Sequence, residues 1–288
     1  MVPLMTVAIL TDSAASLPAP AVQAHHITVV PLHLLYDGRD LKDGETVFAE
    51  VVDRIAADPK SVTTSAPSPG EFLAAMEAVP DADELAVVTV AGHMSAAYKS
   101  AWSASSLSSR PVRVIDSGTA AGAEGLVVLA AAEAASAGAG LDAVEARALA
   151  VAERVELVAA VNGIEHLSRS GRVTSLAGWA GKRLGLHPLF AFRPGGRVVP
   201  LRPAQSRSAA MERLLTRWRR SRPKGPALLR VAAVHAEATA EAEGLLARIA
   251  AEAEPELSFI GQFSPVMVTH TGPGLLGIAW WWERGAPE

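Results

Sequence analysis

Short apolar runs alternate with segments of helical spacing through the first half of the chain. Residues 7–10 are a buried-type run ending on Thr11-Asp12-Ser13, and residues 27–30 are a second, closed by Pro31. Both have the length and branched content of strands. Residues 33–36 read as extended and turn at Asp37-Gly38, a hairpin signal. Over residues 46–57, Val47, Val51 and Ile55 recur at helical spacing. Residues 61–69 read as a loop rich in hydroxyls and prolines, after which Ser68-Pro69 caps a helix running through Met76. Residues 85–90 form a continuous apolar strand, 94–106 a helix, 112–115 a strand ending on Asp116-Ser117, and 120–137 and 141–154 two helices. Strands alternating with helices predict a mostly parallel sheet, which binds ligands at the carboxyl ends of its strands.

The pattern changes near residue 160. A strand is expected over 158–161, a short helix over 164–167, and Ser170-Gly171-Arg172 in a turn before a small-residue helix to Leu184. Residues 187–192 and 197–201 read as a hairpin, 205–220 as a helix with a basic end, 228–235 as a strand and 237–253 as a helix. Strands over 257–261 and 266–269 lead to His270-Thr-Gly-Pro-Gly274, and 275–282 closes the chain as a strand. The expected fold class is α/β in two domains. An N-terminal domain (1–160) has a mostly parallel sheet with flanking helices, and a C-terminal domain (161–288) has a mixed α+β sheet.

Half of the 288 residues are hydrophobic and 19% are charged, ample material for a core. Mean hydropathy is positive, but the most apolar run, 121–139, is alanine- and glycine-rich and broken by Glu124 and Glu133. It reads as a small-residue helix packed close to a sheet rather than a membrane span. No basic patch precedes an N-terminal apolar stretch, so no signal peptide is expected. The absence of cysteine excludes a thiol nucleophile, cysteine-ligated zinc and iron–sulfur chemistry. A net charge of −4 argues against nucleic acid as a partner. No phosphate-cradling glycine loop, zinc-helix motif or nucleophile elbow is present.

The chemistry-bearing clusters each admit two readings. Thr63-Thr64-Ser65 is an ordinary loop before a helix cap, or a set of hydroxyl donors for a carboxylate or phosphate. Ser95, just inside a helix after a strand, allows the same pair of readings. His270 is a polar residue in a tight turn, or a strand-end imidazole able to donate to an anion. Asp12 and Asp116 read as loop and helix caps at strand ends. Arg169, Arg172, Lys182, Arg183 and Arg207 are a solvated basic face or a docking surface for an acidic partner or a phosphate in transfer.

Taken in order, several stretches resemble the DegV family of bacterial fatty-acid-binding proteins. They are Thr11-Asp-Ser13, Val29-Val-Pro-Leu32 with Asp37-Gly38, Thr64-Ser-Ala-Pro-Ser68, Ser95 to Tyr98 with Ser100-Ala101, Val114-Ile-Asp-Ser117, Gly171-Arg172, Arg207 and His270-Thr-Gly-Pro-Gly274. The resemblance spans about residues 7–279. It implies a cytoplasmic carrier without catalysis of its own, and no cofactor. A long-chain fatty acid would lie in a buried tunnel, its carboxylate at the domain boundary. A separate fatty acid kinase subunit would convert that carboxylate to an acyl phosphate for phospholipid synthesis. It also admits transient contact with a membrane.

Carried over by motif, Thr64, Ser95 and His270 hold the carboxylate, and Arg172 engages the kinase with Arg207 as a second candidate. The family's Ser-Gly-Thr-Tyr is here Ser95-Ala96-Ala97-Tyr98, and the serines usually upstream are replaced by Ala91-Gly92-His93. His93 and Ser65 are therefore further candidates for the head group. Two alternatives stay open. One is a hydrolase or transferase using Ser95 or Ser13, with His270 or His93 as base and Asp116 as orienter. The other is a binder of a different acidic amphiphile.

Overall fold

The computed structural model describes residues 6–45, 48–58, 60–172, 185–193 and 196–284. β1 (Val7–Asp12) leads through a 3-10 turn (Ser13–Ala15) and α1 (Ala19–Ala24) to β2 (Thr28–Val30). β3 (His33–Tyr36) and β4 (Arg39–Lys42) form the expected hairpin, with Asp37 and Gly38 at φ 51° and 70°, the conformation that matches strand twist. Then come α2 (Phe48–Ala57), β5 (Thr63–Ser65), α3 (Pro69–Ala78), β6 (Glu84–Thr89), α4 (Ala97–Ser105), β7 (Val112–Asp116), α5 (Ala121–Ser136) and α6 (Leu141–Ala152). The rest runs β8 (Glu156–Ala160), α7 (Glu165–Ser170), β9 (His187–Arg193), β10 (Arg197–Ala204), α8 (Arg207–Ser221), β11 (Ala227–His235), α9 (Thr239–Glu252), β12 (Pro255–Gln262), α10 (Pro265–Thr271) and β13 (Leu276–Arg284).

Among the described residues the strands form three sheets. The first has the order β2-β1-β6-β7 and is parallel throughout, as its continuous apolar strands predict. The second, β10-β9-β8-β13-β11-β12, is antiparallel except where β11 and β12 run together. The third is a small antiparallel sheet, β4-β3-β5. The chain is thus α/β, with a parallel sheet and a separate mixed sheet. β8 lies before the expected domain boundary at 160/161, yet it pairs with β13 and β9 in the second sheet.

α5 joins the two sheets. Its residues from Ala121 to Ala132 are all buried, and it packs on β1 and β6 on one side and on β11 and β13 on the other. A helix apolar on every face needs such a double cover. Small side chains permit the close approach. A Cβ on Gly122 would stand 2.7 Å from Val234 Cγ1 and 2.8 Å from Ala232 Cβ, inside contact distance. On its far face the second sheet carries α8 and α9 over a second core that includes Val158, Leu189, Trp218 and Trp280.

Three local expectations are corrected. Residues 266–269 are not a strand but part of α10. Ser264-Pro265 is a helix start with proline in the first turn, and a four-residue run of valine, methionine and threonine cannot by itself tell strand from helix. The 61–69 segment is not all loop, because β5 adds to β3 as a short edge strand. α4 begins at Ala97, so Ser95 precedes the helix, and its Oγ accepts from the Ala97 N–H at 3.2 Å. The expected small-residue helix ahead of Leu184, with Lys182 and Arg183, lies outside the described residues.

Candidate functional site

In the first sheet the chain leaves β1 toward β2 on one side, while β6 and β7 lie on the other. The carboxyl ends of β1 and β6 therefore face the crevice where such sheets bind ligands. Asp12 sits there, fully buried. Its Oδ1 accepts from Ala14 N at 3.0 Å and its Oδ2 from Val90 N at 2.9 Å, which ties the two strand ends together. Asp116 does the same one strand over, accepting from Gly92 N at 3.1 Å and Gly118 N at 2.8 Å. Both acids are caps, as their positions at strand ends predicted.

A cavity of about 560 Å³ opens beside these turns. Its deep wall is apolar, with Leu157 and Ala159 of β8, Phe190 and Phe192 of β9, and Val234 of β11. Phe190 and Phe192 point to the same side of β9, as residues two apart must, with ring centroids 6.2 Å apart. Ala14, Ala120 and Ala121 line the face toward the first sheet, where small side chains leave the space unfilled.

The rest of the lining brings in the polar groups. Thr64 and Ser65 come from β5, Gly92 to Ala96 from the turn after β6, Ser170 and Arg172 from the end of α7, and Met267, His270 and Thr271 from α10. Thr64 Oγ1 lies 2.8 Å from His270 Nε2 across 206 positions of sequence. His270 therefore reaches the site from the last turn of α10, not from a strand end. Burial, reinforced by the neighbouring Arg172 guanidinium, lowers the His270 imidazole to about 4. The ring is neutral near pH 7 and offers a single N–H donor.

Of the residues singled out in the sequence, Thr64, Ser65, His93, Ser95, Arg172 and His270 all line this cavity. His93 is exposed, and its ring covers Gly196. A Cβ there would fall 2.7 Å from His93 Cε1 and 2.8 Å from Gly118 O, and φ is +78°, so position 196 favours glycine. Arg172 is exposed at the rim, with Nη1 donating to Ser170 O at 2.7 Å. Arg207 does not line the cavity. Its guanidinium grips Glu241 with bonds of 2.8 and 2.6 Å and donates to Gly274 O at 2.6 Å, which fixes α8 to α9 and to the turn ahead of β13.

No Ser–His–Asp relay is assembled among the described residues. Ser95 Oγ is bonded to Ala97 N, His270 Nε2 to Thr64, Asp116 to backbone N–H groups, and Ser13 Oγ to Asp43 Oδ2 at 2.7 Å. No group of side chains able to hold a metal ion occurs among the described residues, and no helix there is long and apolar enough to cross a membrane.

A buried acid pair escaped the sequence reading. Glu124, fully buried on α5, lies against Asp12 and faces Thr11, whose Oγ1 donates to Glu124 Oε1 at 3.4 Å. Burial raises Asp12 to about 6, against 3.8 for a free side chain. Burial, with the Asp12 charge beside it, raises Glu124 well above its ordinary value. The signal available was a carboxyl at the fourth position of a helix whose first twelve residues are otherwise all apolar or glycine.

Comparison with known proteins gives a consistent result. A family profile described as an uncharacterised protein of the DegV family matches residues 6–283. A DegV domain-containing protein of Mycobacterium tuberculosis is 35% identical over 283 residues, covering 95% of this chain and 96% of the relative. The crystal structure of a DegV lipid binding protein from Thermotoga maritima superposes with a TM-score of 0.86 at 28% identity, covering 98% of this chain and 100% of the other. A Thermus thermophilus structure, described as showing fatty acid binding of a DegV family protein, superposes with a TM-score of 0.87 at 26% identity, covering 96% of this chain and 99% of the other.

Proposed function

The chain belongs to the DegV family, and on that premise we propose that it binds a long-chain fatty acid in the 560 Å³ cavity with the carboxylate at the Thr64–His270 end. The observation that carries this reading is a single cavity lined mostly by apolar side chains that also holds Thr64 and His270 in direct contact, with Ser95 on the same lining. The tail supplies affinity. At roughly 0.8 kcal/mol per methylene, about fifteen methylenes contribute a gross ~12 kcal/mol, partly offset by ordering the chain.

The head group needs donors, because a buried carboxylate without them takes up a proton. With its single proton on Nε2, His270 donates to Thr64 Oγ1, and the Thr64 hydroxyl proton is then free to reach the ligand. The Ser95 hydroxyl, whose oxygen takes the Ala97 N–H, keeps its own proton to give. Neutral donors hold a carboxylate less firmly than a bidentate arginine. That suits a head group which must later act as a nucleophile.

We further propose that the protein is a carrier subunit whose partner, a fatty acid kinase, holds the phosphoryl donor. A carboxylate oxygen of the bound acid attacks the transferred phosphorus, and the bond to the donor's leaving oxygen breaks. The product is an acyl phosphate that feeds phospholipid synthesis. Arg172 at the cavity rim is the residue assigned to that partner. Arg207, already engaged with Glu241, is a weaker candidate. Arg172→Ala is expected to leave the fatty acid dissociation constant within about threefold, since an exposed charge contributes little, and to abolish phosphorylation of the bound acid by a purified kinase subunit. Loss of fatty acid binding instead would assign Arg172 to the head-group site.

The function itself is tested by native mass spectrometry of the gently purified full chain. The expected spectrum carries the added mass of one fatty acid, released on denaturation. An empty protein that hydrolyses activated esters would overturn the carrier reading in favour of a serine-dependent hydrolase.

A further inference from the structure

The second sheet has a second recess on the opposite face from the cavity. Along β8, Leu157 and Ala159 face the cavity, while Val158 and Ala160 pack into the α8/α9 core. At the start of β8, Glu156 meets α8, and here a recess of about 340 Å³ is lined by Arg213, Thr216, Arg217 and Arg220. These α8 positions are spaced three, four and seven apart, so one helix face presents all of them.

The charge of this recess is unbalanced in a chain with more acidic than basic residues. Elsewhere on α8 the arginines answer carboxylates, Arg207 pairing with Glu241 and Arg219 with Glu252. In the recess only Arg217 does so, with Glu156 at 2.7 Å. Arg213 is held by a backbone carbonyl, that of Arg202, at 2.5 Å. The Arg220 side chain has no hydrogen bond or ion pair among the described residues. Three guanidiniums against one carboxylate leave an excess of two positive charges. The Nε–H of Arg217 is also buried without an acceptor, a state that native proteins rarely leave unanswered. Arginine in the last turn complements the carbonyl end of a helix, which accounts for Arg220 alone. It does not account for Arg213 and Arg217 converging on the same recess.

We propose that this recess binds a phosphomonoester dianion. Its two negative charges match the excess. Its three terminal oxygens can be shared among three planar guanidinium forks, with the Thr216 hydroxyl as an additional donor. The phosphate can belong to a small soluble ester or to a lipid head group, which present the same chemistry to the arginines. The site does not depend on the occupant of the cavity across the sheet.

The test is calorimetric titration of the purified full chain with inorganic phosphate at pH 8, ionic strength held constant with chloride. One saturable site is expected. It should weaken at pH 5.5, where phosphate is mostly the monoanion, and by at least about tenfold in the double variant Arg213→Gln/Arg220→Gln. That variant keeps the Arg217–Glu156 pair, and its thermal melt and its affinity for a fluorescent fatty acid should match the wild type. Glycerol 3-phosphate and phosphatidylcholine vesicles doped with phosphatidic acid separate the two sources. Tighter binding of the soluble ester identifies a free ester, and binding confined to doped vesicles identifies a head group. Absence of a saturable site for all three probes, or binding unchanged in the double variant, overturns the proposal.

Discussion

Replacing Thr64 by alanine is expected to weaken fatty acid binding about tenfold to a hundredfold, the worth of one hydrogen bond to a charged group, with little change in thermal stability. Thr64 lies on an edge strand of a three-stranded sheet and is only partly buried, so its loss removes little packing. What it loses is specific. The methyl of alanine cannot donate to the ligand carboxylate, and it leaves His270 Nε2 without the partner now at 2.8 Å. Ser95→Ala should act in the same direction through the second donor. Thr64→Ser restores the hydroxyl and should recover most of the affinity.

His270 titrates near 4, so its charge does not change between pH 6 and 8, and the ratio of variant to wild-type affinity should be flat across that range. The readout is displacement of a fluorescent fatty acid, with a denaturant melt of each variant as control. Affinity that survives both alanine substitutions would remove the carboxylate from this end of the cavity.

The hydroxyls, the histidine and the arginine that line this cavity stand out in the chain at the ends of elements, but each admits two readings there, and only the family resemblance drew Thr64, Ser95 and His270 together as candidates for one head group. The elements were more directly legible. The apolar run of residues 85–88 in β6, the Asp37-Gly38 hairpin and the Ser68 cap each declare themselves within a few residues. The Ser68 side chain accepts from Glu71 N while the Glu71 side chain takes the Ser68 N–H, a reciprocal pair that a short window contains.

What failed needed information from outside the window. α10 reads as a strand over 266–269 because branched residues favour strands. Its helix is decided by Ser264-Pro265 and by burial of Val266 and Val268 against the core. β5 reads as a loop because three hydroxyl residues carry no apolar signal, and only pairing with β3 makes them extended. That β8, ahead of the expected boundary, pairs with β13 and β9 could not be read locally either, because sheet membership is a tertiary fact. The Thr64–His270 contact joins residues 206 apart, a distance that no local pattern encodes.

The buried pair Asp12–Glu124 should govern how stability varies with pH, and Glu124→Gln should flatten that dependence. A carboxyl whose folded value is raised binds its proton more tightly in the native state than in the unfolded chain. The stability this contributes is complete below the unfolded value and is lost as pH rises through the folded one. For Asp12, a rise from 3.8 to about 6 corresponds to about 3 kcal/mol surrendered between pH 4 and 7. Glu124, raised by burial and by the Asp12 charge, acts in the same direction.

Glutamine at 124 imitates the protonated acid. Its amide can donate to Asp12 and accept from Thr11 with no proton to release. The variant should therefore be more stable than wild type at pH 8, and the advantage should shrink as pH falls toward 5. Taking the difference between the two proteins cancels other titrations, including those of His166, His235 and His270, whose lowered values act in the opposite sense.

Asp12→Asn should behave differently. Asp12 accepts from both Ala14 N and Val90 N, and an asparagine amide would turn an N–H toward one of those donors. That substitution should destabilise the protein at every pH, although it too removes a titrating group. Urea unfolding at pH 5, 6.5 and 8 distinguishes these outcomes. A wild-type minus Glu124→Gln difference that does not change with pH would mean that Glu124 does not hold the proton assigned to it.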